Sequence, residues 1–125
     1  AVILADPTQA LLTAWRDWEL LASVLIARRE EGVGYFGMLS VSPALQAGGL
    51  GRRMIEAAQT ALAERYGAQV VRISVFPQRE TLIAWYGRLG YRDTGETLPF
   101  PYDEPRLGSP LRDDLYFIVM EKALP

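Results

Sequence analysis

The sequence contains no cysteine and no histidine. Those two absences exclude a good deal of chemistry. No disulfide can form, so the chain needs no oxidising compartment. Cys–His and Ser–His nucleophilic pairs cannot be built, and neither can a Cys/His zinc site. Acid–base work is left to Tyr, Glu, Asp, Lys, an amino terminus or water. An excess of basic residues is also missing: 13 Lys and Arg stand against 15 Asp and Glu, a net charge of −2. That balance gives no general electrostatic reason to expect nucleic acid as a partner. The longest apolar runs fall far short of the roughly 20 residues that span a bilayer, so no membrane is expected either. Ala1 to Asp6 has neither the basic start nor the length of a secretory signal, and the cytoplasm is the default.

What is present is enough for one domain. Half of the 125 residues are hydrophobic and 22% are charged, which supports a packed core. The chain opens on Ala1 and runs almost directly into strand-like sequence, so N-terminal residues are expected to be missing. Strands are read at Gln9–Trp15, Glu19–Arg28 and Tyr35–Val41, joined by short turns as in an antiparallel meander. From Leu50 to Tyr66 the residues Leu50, Met54, Ala58, Ala61 and Leu62 recur at helical spacing, and Gly67 stands where a left-handed stop belongs. A buried strand follows at Val70–Phe76. Leu82, Trp85, Tyr86 and Leu89 then mark the stripe of a short helix closed by Gly90. Tyr91–Leu98 and Leu115–Lys122 read as strands, with a proline-rich loop between Pro99 and Pro110. The order is β-β-β-α-β-α-β-β. The expected fold class is α/β, or α+β: a mixed, mostly antiparallel sheet with a central parallel strand–helix–strand unit.

The most informative stretch is Leu45-Gln46-Ala47-Gly48-Gly49-Leu50-Gly51-Arg52-Arg53. A strand ends, a glycine-rich turn follows, and a long helix begins. The first amides of a helix lack internal partners, and no Ser, Thr, Asp or Asn stands just before Leu50 to cap them. Arg52 and Arg53 occupy the first turn, where the dipole favours anions instead. An uncapped, cationic, glycine-rich helix start suits a bound phosphate. A tight turn with solvated arginines is the plainer reading of the same residues. A Walker loop is excluded, because Gly51 is followed by Arg52-Arg53 and not by Lys-Ser/Thr. The literal G-x-G-x-x-G at Gly32 to Gly37 runs into a strand and not a helix, so it reads as a hairpin turn.

Two blocks carry a family resemblance. Met38-Leu39-Ser40-Val41-Ser42-Pro43 followed by Gln46-Ala47-Gly48-Gly49-Leu50-Gly51-Arg52 resembles motif A of the GNAT superfamily of N-acetyltransferases, Gln/Arg-x-x-Gly-x-Gly/Ala between a strand and a helix. Leu82 to Tyr91 resembles motif B, in which a tyrosine precedes Gly-Phe/Tyr by a helical turn. The resemblance spans roughly Gln9 to Leu124 and implies a single GNAT-like domain over residues 1–125. It lacks the usual N-terminal strand and helices, which often wall the acceptor site. It implies acetyl-CoA as cosubstrate, no metal, and the amine of a small molecule or peptide as acceptor. The backbone of Leu39, Ser40 and Val41 would meet the pantetheine arm, as an added strand would. Amides from Gln46, Ala47, Gly48, Gly49, Leu50, Gly51 and Arg52 would hold the pyrophosphate. The strands at Leu39 and at Val70–Phe76 would splay apart to admit the cofactor. Tyr86 would present its hydroxyl to the thioester sulfur, although periodicity alone makes Tyr86 a core residue.

Some positions depart from the family pattern. Ala47-Gly48 replaces the frequent Gly-Lys or Gly-Arg, and Arg79 stands where many members have Asn. Arg79 is a candidate for the cofactor's phosphates or for solvent. Glu96, Glu104, Asp113 and Asp114 are the candidate bases, with a water relay as the alternative. Phe100 and Tyr102 are candidates to cover the acceptor or to join a homodimer. The rival reading in another class is a non-catalytic domain that binds or senses acyl-CoA. A nucleotide-binding α/β protein is the more distant rival.

Overall fold

A computed structural model describes the backbone of residues 2–99 and 115–124, and the side chains of all of these but 2–6, 44, 46 and 47. The chain divides into two compact units, Ala1–Arg72 with Ala123–Pro125, and Ile73–Lys122.

The first unit opens with β1 (Val2–Asp6), β2 (Gln9–Arg16), β3 (Glu19–Glu30) and β4 (Val33–Val41). Each strand pairs antiparallel with the next. Alternation decides the faces. Ala10 and Leu12 on β2 are buried opposite Ile26 and Val24 on β3, and Ala22 is buried on β3 as well. A 3-10 turn over Pro43–Gly48 leads into helix α1 (Leu50–Tyr66). This helix buries Met54, Ile55, Ala58 and Leu62. Fully burying side chains such as Ile55 and Leu62 contributes about 1.5–3 kcal/mol each. Gly67 ends the helix in the left-handed region (φ 66°), and its N–H donates to the Ala63 carbonyl at 3.0 Å.

Strand β5 (Val70–Val75) begins in this unit. It pairs parallel with β4 over Val33↔Val70, Gly34↔Val71 and Tyr35↔Arg72. The strand–helix–strand crossover expected from the sequence is therefore present. Gly34 explains how α1 can lie so close to β4. A Cβ added there would stand 2.9 Å from Leu62 Cδ2 and 3.2 Å from the Ala68 Cβ. Leu62 is fully buried and has nowhere to retreat. Gly34→Ala is expected to lower stability by about 1–3 kcal/mol through overpacking. Urea denaturation would show this as a lower midpoint at an unchanged slope.

The second unit holds the end of β5, helix α2 (Glu80–Arg88), β6 (Arg92–Pro99) and β7 (Tyr116–Ala123), whose last residue returns to the first unit. β6 pairs antiparallel with β7. Phe76 and Phe117 stack with ring centroids 4.7 Å apart. Among the described residues the strands follow one another in the sheet in the order β1-β2-β3-β4-β5-β7-β6. This is the mixed, mostly antiparallel α/β architecture read from the sequence, with one more strand, β1. Pro7-Thr8 turns β1 directly into β2. No helix among the described residues is long and apolar enough to cross a membrane.

Candidate functional site

The features of the glycine turn lie in the first unit. Gly49 flanks α1 at its N-terminus, has φ 78° and makes no side-chain cap. Its carbonyl accepts from the Arg53 N–H at 3.1 Å. No acidic residue stands in the first turn. A Cβ built on Gly48 or on Gly49 would meet nothing within 4 Å among the described residues. Among the described residues, space is therefore left beside the first amides of α1, the kind of place that suits an anionic group. The left-handed φ accounts for glycine at position 49. At position 48 no left-handed φ is present, so openness is the distinguishing feature there. Gln46 and Ala47 belong to the 3-10 turn by backbone, and Leu50 and Gly51 form the first residues of α1.

Both arginines of the first turn are exposed. The Nε of Arg52 donates to Glu56 Oε1 at 3.2 Å, an i,i+4 pair. With both side chains in water the pair is worth about 0.3–0.5 kcal/mol, so an incoming phosphate can recruit Arg52 at little cost. The Arg53 guanidinium has no ion-pair partner among the described residues.

Strand β4 bends just before this turn. Leu25 pairs with Gly37 and Ser23 with Ser40, so Val24 alone faces Met38 and Leu39. This is a β-bulge, with Met38 at φ 54° and largely exposed. A left-handed conformation costs a non-glycine residue roughly 1–2 kcal/mol. Beyond the bulge, the Ser42 N–H donates to the Leu21 carbonyl at 2.8 Å. Backbone direction alternates along a strand. Ser42 and Ser40 therefore aim their backbone groups at β3, while Val41 and Leu39 aim theirs away from it. Leu39 and Val41 are thus the residues of this stretch whose amides and carbonyls face away from β3, and Ser40 is not among them.

Tyr86 and Arg79 lie in the second unit. Tyr86 is buried on α2. Its ring lies 5.2 Å from that of Trp85 and 5.8 Å from that of Tyr91. Burial raises the Tyr86 phenol above its ordinary pKa of 10.0, and the Arg79 charge pulls it part of the way back. The Tyr86 hydroxyl is therefore protonated at neutral pH. Arg79 is the N-terminal flanking residue of α2, and its own N–H donates to the Phe76 carbonyl at 3.0 Å. The electrostatic reach of its guanidinium to Tyr86 has no counterpart in the sequence reading, which considered only phosphate or solvent for Arg79. The i,i+7 spacing from Arg79 to Tyr86 is the signal that could have suggested it.

Among the candidate bases, Glu96 is exposed on an irregular stretch of β6 between Asp93 and Thr97. The Gly95 N–H bonds to Asp93 Oδ1 at 2.8 Å there, and Thr94 Oγ1 donates to the Val119 carbonyl at 3.0 Å. Glu104, Asp113, Asp114, Phe100 and Tyr102 lie outside the described residues. Among the described residues no group of three or more His, Cys, Asp or Glu is placed to hold a metal ion. The Gly32–Gly37 stretch holds the end of the β3–β4 hairpin turn, with Gly32 at φ 76°, and the start of β4.

Comparison with known proteins agrees with this geometry. The sequence model described as the acetyltransferase (GNAT) family matches residues 2–91. No curated protein sequence matches. Among solved structures, an acyl-CoA N-acyltransferase from Pseudomonas aeruginosa is 28% identical, covering 92% of this chain and 68% of that one at a TM-score of 0.65. A GNAT family acetyltransferase from Elizabethkingia anophelis with acetyl-CoA bound is 12% identical, covering 94% and 77% at a TM-score of 0.78. A Bacillus subtilis acetyltransferase in complex with CoA is 16% identical, covering 94% and 78% at a TM-score of 0.75. The last two share the fold. With its mixed sheet, its uncapped glycine turn into α1 and the match over residues 2–91, the chain belongs to the GNAT family of acetyltransferases.

Proposed function

We propose that the protein transfers the acetyl group of acetyl-CoA to a primary amine of a small molecule or peptide, in the cytoplasm, with Tyr86 as general acid. The observation that carries this reading is the open, uncapped start of α1 in a chain of this family. Amides from Gln46 to Arg52 bind the pyrophosphate, and Arg52 and Arg53 add positive charge beside it. Arg79 serves Tyr86 first, and the phosphates only as a second role. Backbone groups of Leu39 and Val41 take the pantetheine arm as a neighbouring strand would be taken. The short parallel ladder between β4 and β5 supports this, since β4 runs on from Tyr35 to Val41.

Bound acetyl-CoA supplies an acetyl group activated as a thioester. A backbone N–H of Leu39 or Val41 polarises the carbonyl oxygen. The amine nitrogen forms its bond to the acetyl carbon as the carbon–sulfur bond breaks. Tyr86 Oη gives its proton to the departing sulfur. The proton lost by the amine passes to Glu96 or to water. No metal takes part in this scheme.

Two measurements test the reading together. Acetyl-CoA is expected to raise the melting temperature, because ligand at 100 times its Kd adds about 2.7 kcal/mol to the folded state. A panel of small primary amines, amino acids and peptides is expected to give amine-dependent thiol release. No rise in melting temperature overturns the donor assignment. A rise with no thiol release from any acceptor favours the non-catalytic acyl-CoA-binding module instead.

A further inference from the structure

The way α2 stops has a direct bearing on its tyrosine. Leu89 is the C-terminal flanking residue of the helix, and Gly90 follows at φ 102°. The Gly90 N–H donates to the Gly87 carbonyl at 3.1 Å, and the Tyr91 N–H donates to the Tyr86 carbonyl at 3.0 Å. This pair of bonds is the Schellman motif. It brings the side chain two residues past the cap onto the side chain three residues inside it. Here those two side chains are Tyr91 and Tyr86. Their rings meet edge-on at 67°, with centroids 5.8 Å apart. Trp85 lies against Tyr86 as well, tilted at 46°.

Tyr91 is in turn held from β7. The Lys122 ammonium sits 5.9 Å from the centre of its ring. The Lys122 stem lies so close to Gly90 that an added Cβ would come within 3.2 Å of Cε. Tyr91 is 3% exposed and Tyr86 is 7% exposed, so Tyr91 is the deeper of the two rings. Burial and the neighbouring Tyr86 hydroxyl push the Tyr91 phenol well above the ordinary tyrosine range. It is therefore the poorer acid of the pair and stays neutral.

We propose that Tyr91 is a positioning residue for Tyr86: its ring, delivered by the helix stop and braced by Lys122, fixes the direction of the Tyr86 hydroxyl. This inference rests on the proposed role of Tyr86 as general acid. A group that donates a proton in the transition state must be held within roughly 0.5 Å and 10–20° of its productive geometry. The helix fixes only the Cα–Cβ direction of Tyr86, and the ring can still rotate among staggered wells. The contact with Tyr91 removes that freedom. An ordinary core role for Tyr91 would affect stability and leave turnover by the folded protein alone.

The test compares Tyr91→Phe, Tyr91→Leu and Tyr91→Met, each alone and combined with Tyr86→Phe. Readouts are kcat, amine KM, acetyl-CoA affinity and melting temperature. Tyr91→Phe keeps the ring and should hold kcat within about twofold. Tyr91→Leu should lower kcat about 10- to 100-fold, the scale of a small misplacement, with KM and acetyl-CoA affinity unchanged. Tyr91→Met supplies an unbranched, flexible side chain that adapts to the gap without a rigid ring, so it should show the same loss if Tyr91→Leu does not fold. In the Tyr86→Phe background neither change should lower kcat further, because coupled residues are not additive. Wild-type kcat in a folded Tyr91→Leu or Tyr91→Met protein overturns the inference. An equal loss in both backgrounds also overturns it. If Tyr86→Phe is itself fully active, the general-acid reading fails, which is a separate result.

Discussion

Tyr86→Phe is expected to lower kcat about 10²–10⁴-fold, the usual share of general acid catalysis. The phenylalanine ring keeps the contacts with Trp85 and Tyr91. Only the hydroxyl is lost, so the fold should lose about 0.5–1.5 kcal/mol. Acetyl-CoA affinity should be unchanged. The pH dependence follows from the raised phenol pKa. A general acid works in its protonated form. Burial moves the Tyr86 pKa above 10.0 despite the opposing pull of Arg79. Tyr86 is then fully protonated at neutral pH, and this contribution to the rate is lost only as pH climbs through the raised value. That basic limb should vanish in Tyr86→Phe. The check is turnover of one amine by both proteins across pH, with acetyl-CoA binding measured alongside. A fully active Tyr86→Phe protein would return Tyr86 to the core.

Gly48→Val is expected to abolish the rise in melting temperature given by acetyl-CoA. The added side chain would stand in the space against the 3-10 turn, where no described residue lies within 4 Å of a built Cβ. It would keep a pyrophosphate from reaching the amides behind it. Gly48 is a better place for this test than Gly49. At φ 78° a valine in position 49 would strain the backbone, so lost binding could reflect lost folding. Gly48 carries no such constraint, and the melting temperature without ligand should stay within a few degrees of wild type. About 2.7 kcal/mol of stabilisation at 100 times the wild-type Kd is then at stake. An undiminished rise in folded Gly48→Val would remove this turn from the donor site.

Where side chains repeat with a period, the sequence was legible. Helix α1 runs over Leu50–Tyr66, as the apolar spacing and Gly67 indicated. Ile55, buried on the flank of the stripe, was missed, because a stripe wider than one row blurs at its edge. The glycine turn was readable because an uncapped helix start is a visible omission. Strand ends were less so: β3 extends to Glu30 and β4 begins at Val33, which shortens the turn between them. β1 went unread, since its five residues carry little pattern of their own. The bulge at Met38 left no trace either. Methionine is not a residue that announces a positive φ, and the register on β3 decides the matter from another strand. The Arg79 field on Tyr86 likewise needs three dimensions. The Tyr86–Tyr91 contact could have been read, because Leu89-Gly90-Tyr91 is the order in which a Schellman stop is written.

The bulge makes one residue of β4 spare. Val24 stands opposite both Met38 and Leu39, because the register shifts by one residue between the pair Leu25–Gly37 and the pair Ser23–Ser40. Phe36 pairs with Ile26 and Val41 with Ala22, so both belong to the same face although an odd number of positions separates them. A chain shortened by Met38 would close over the gap with every partner kept. Alternation would then run unbroken from Phe36 through Leu39 to Val41. What such a chain would lack is the bend and added twist that a bulge gives a strand. The backbone of β4 thus carries a length that pairing does not require. The extra residue serves the strand's path toward the glycine turn, and its removal would separate the demands of folding from those of curvature.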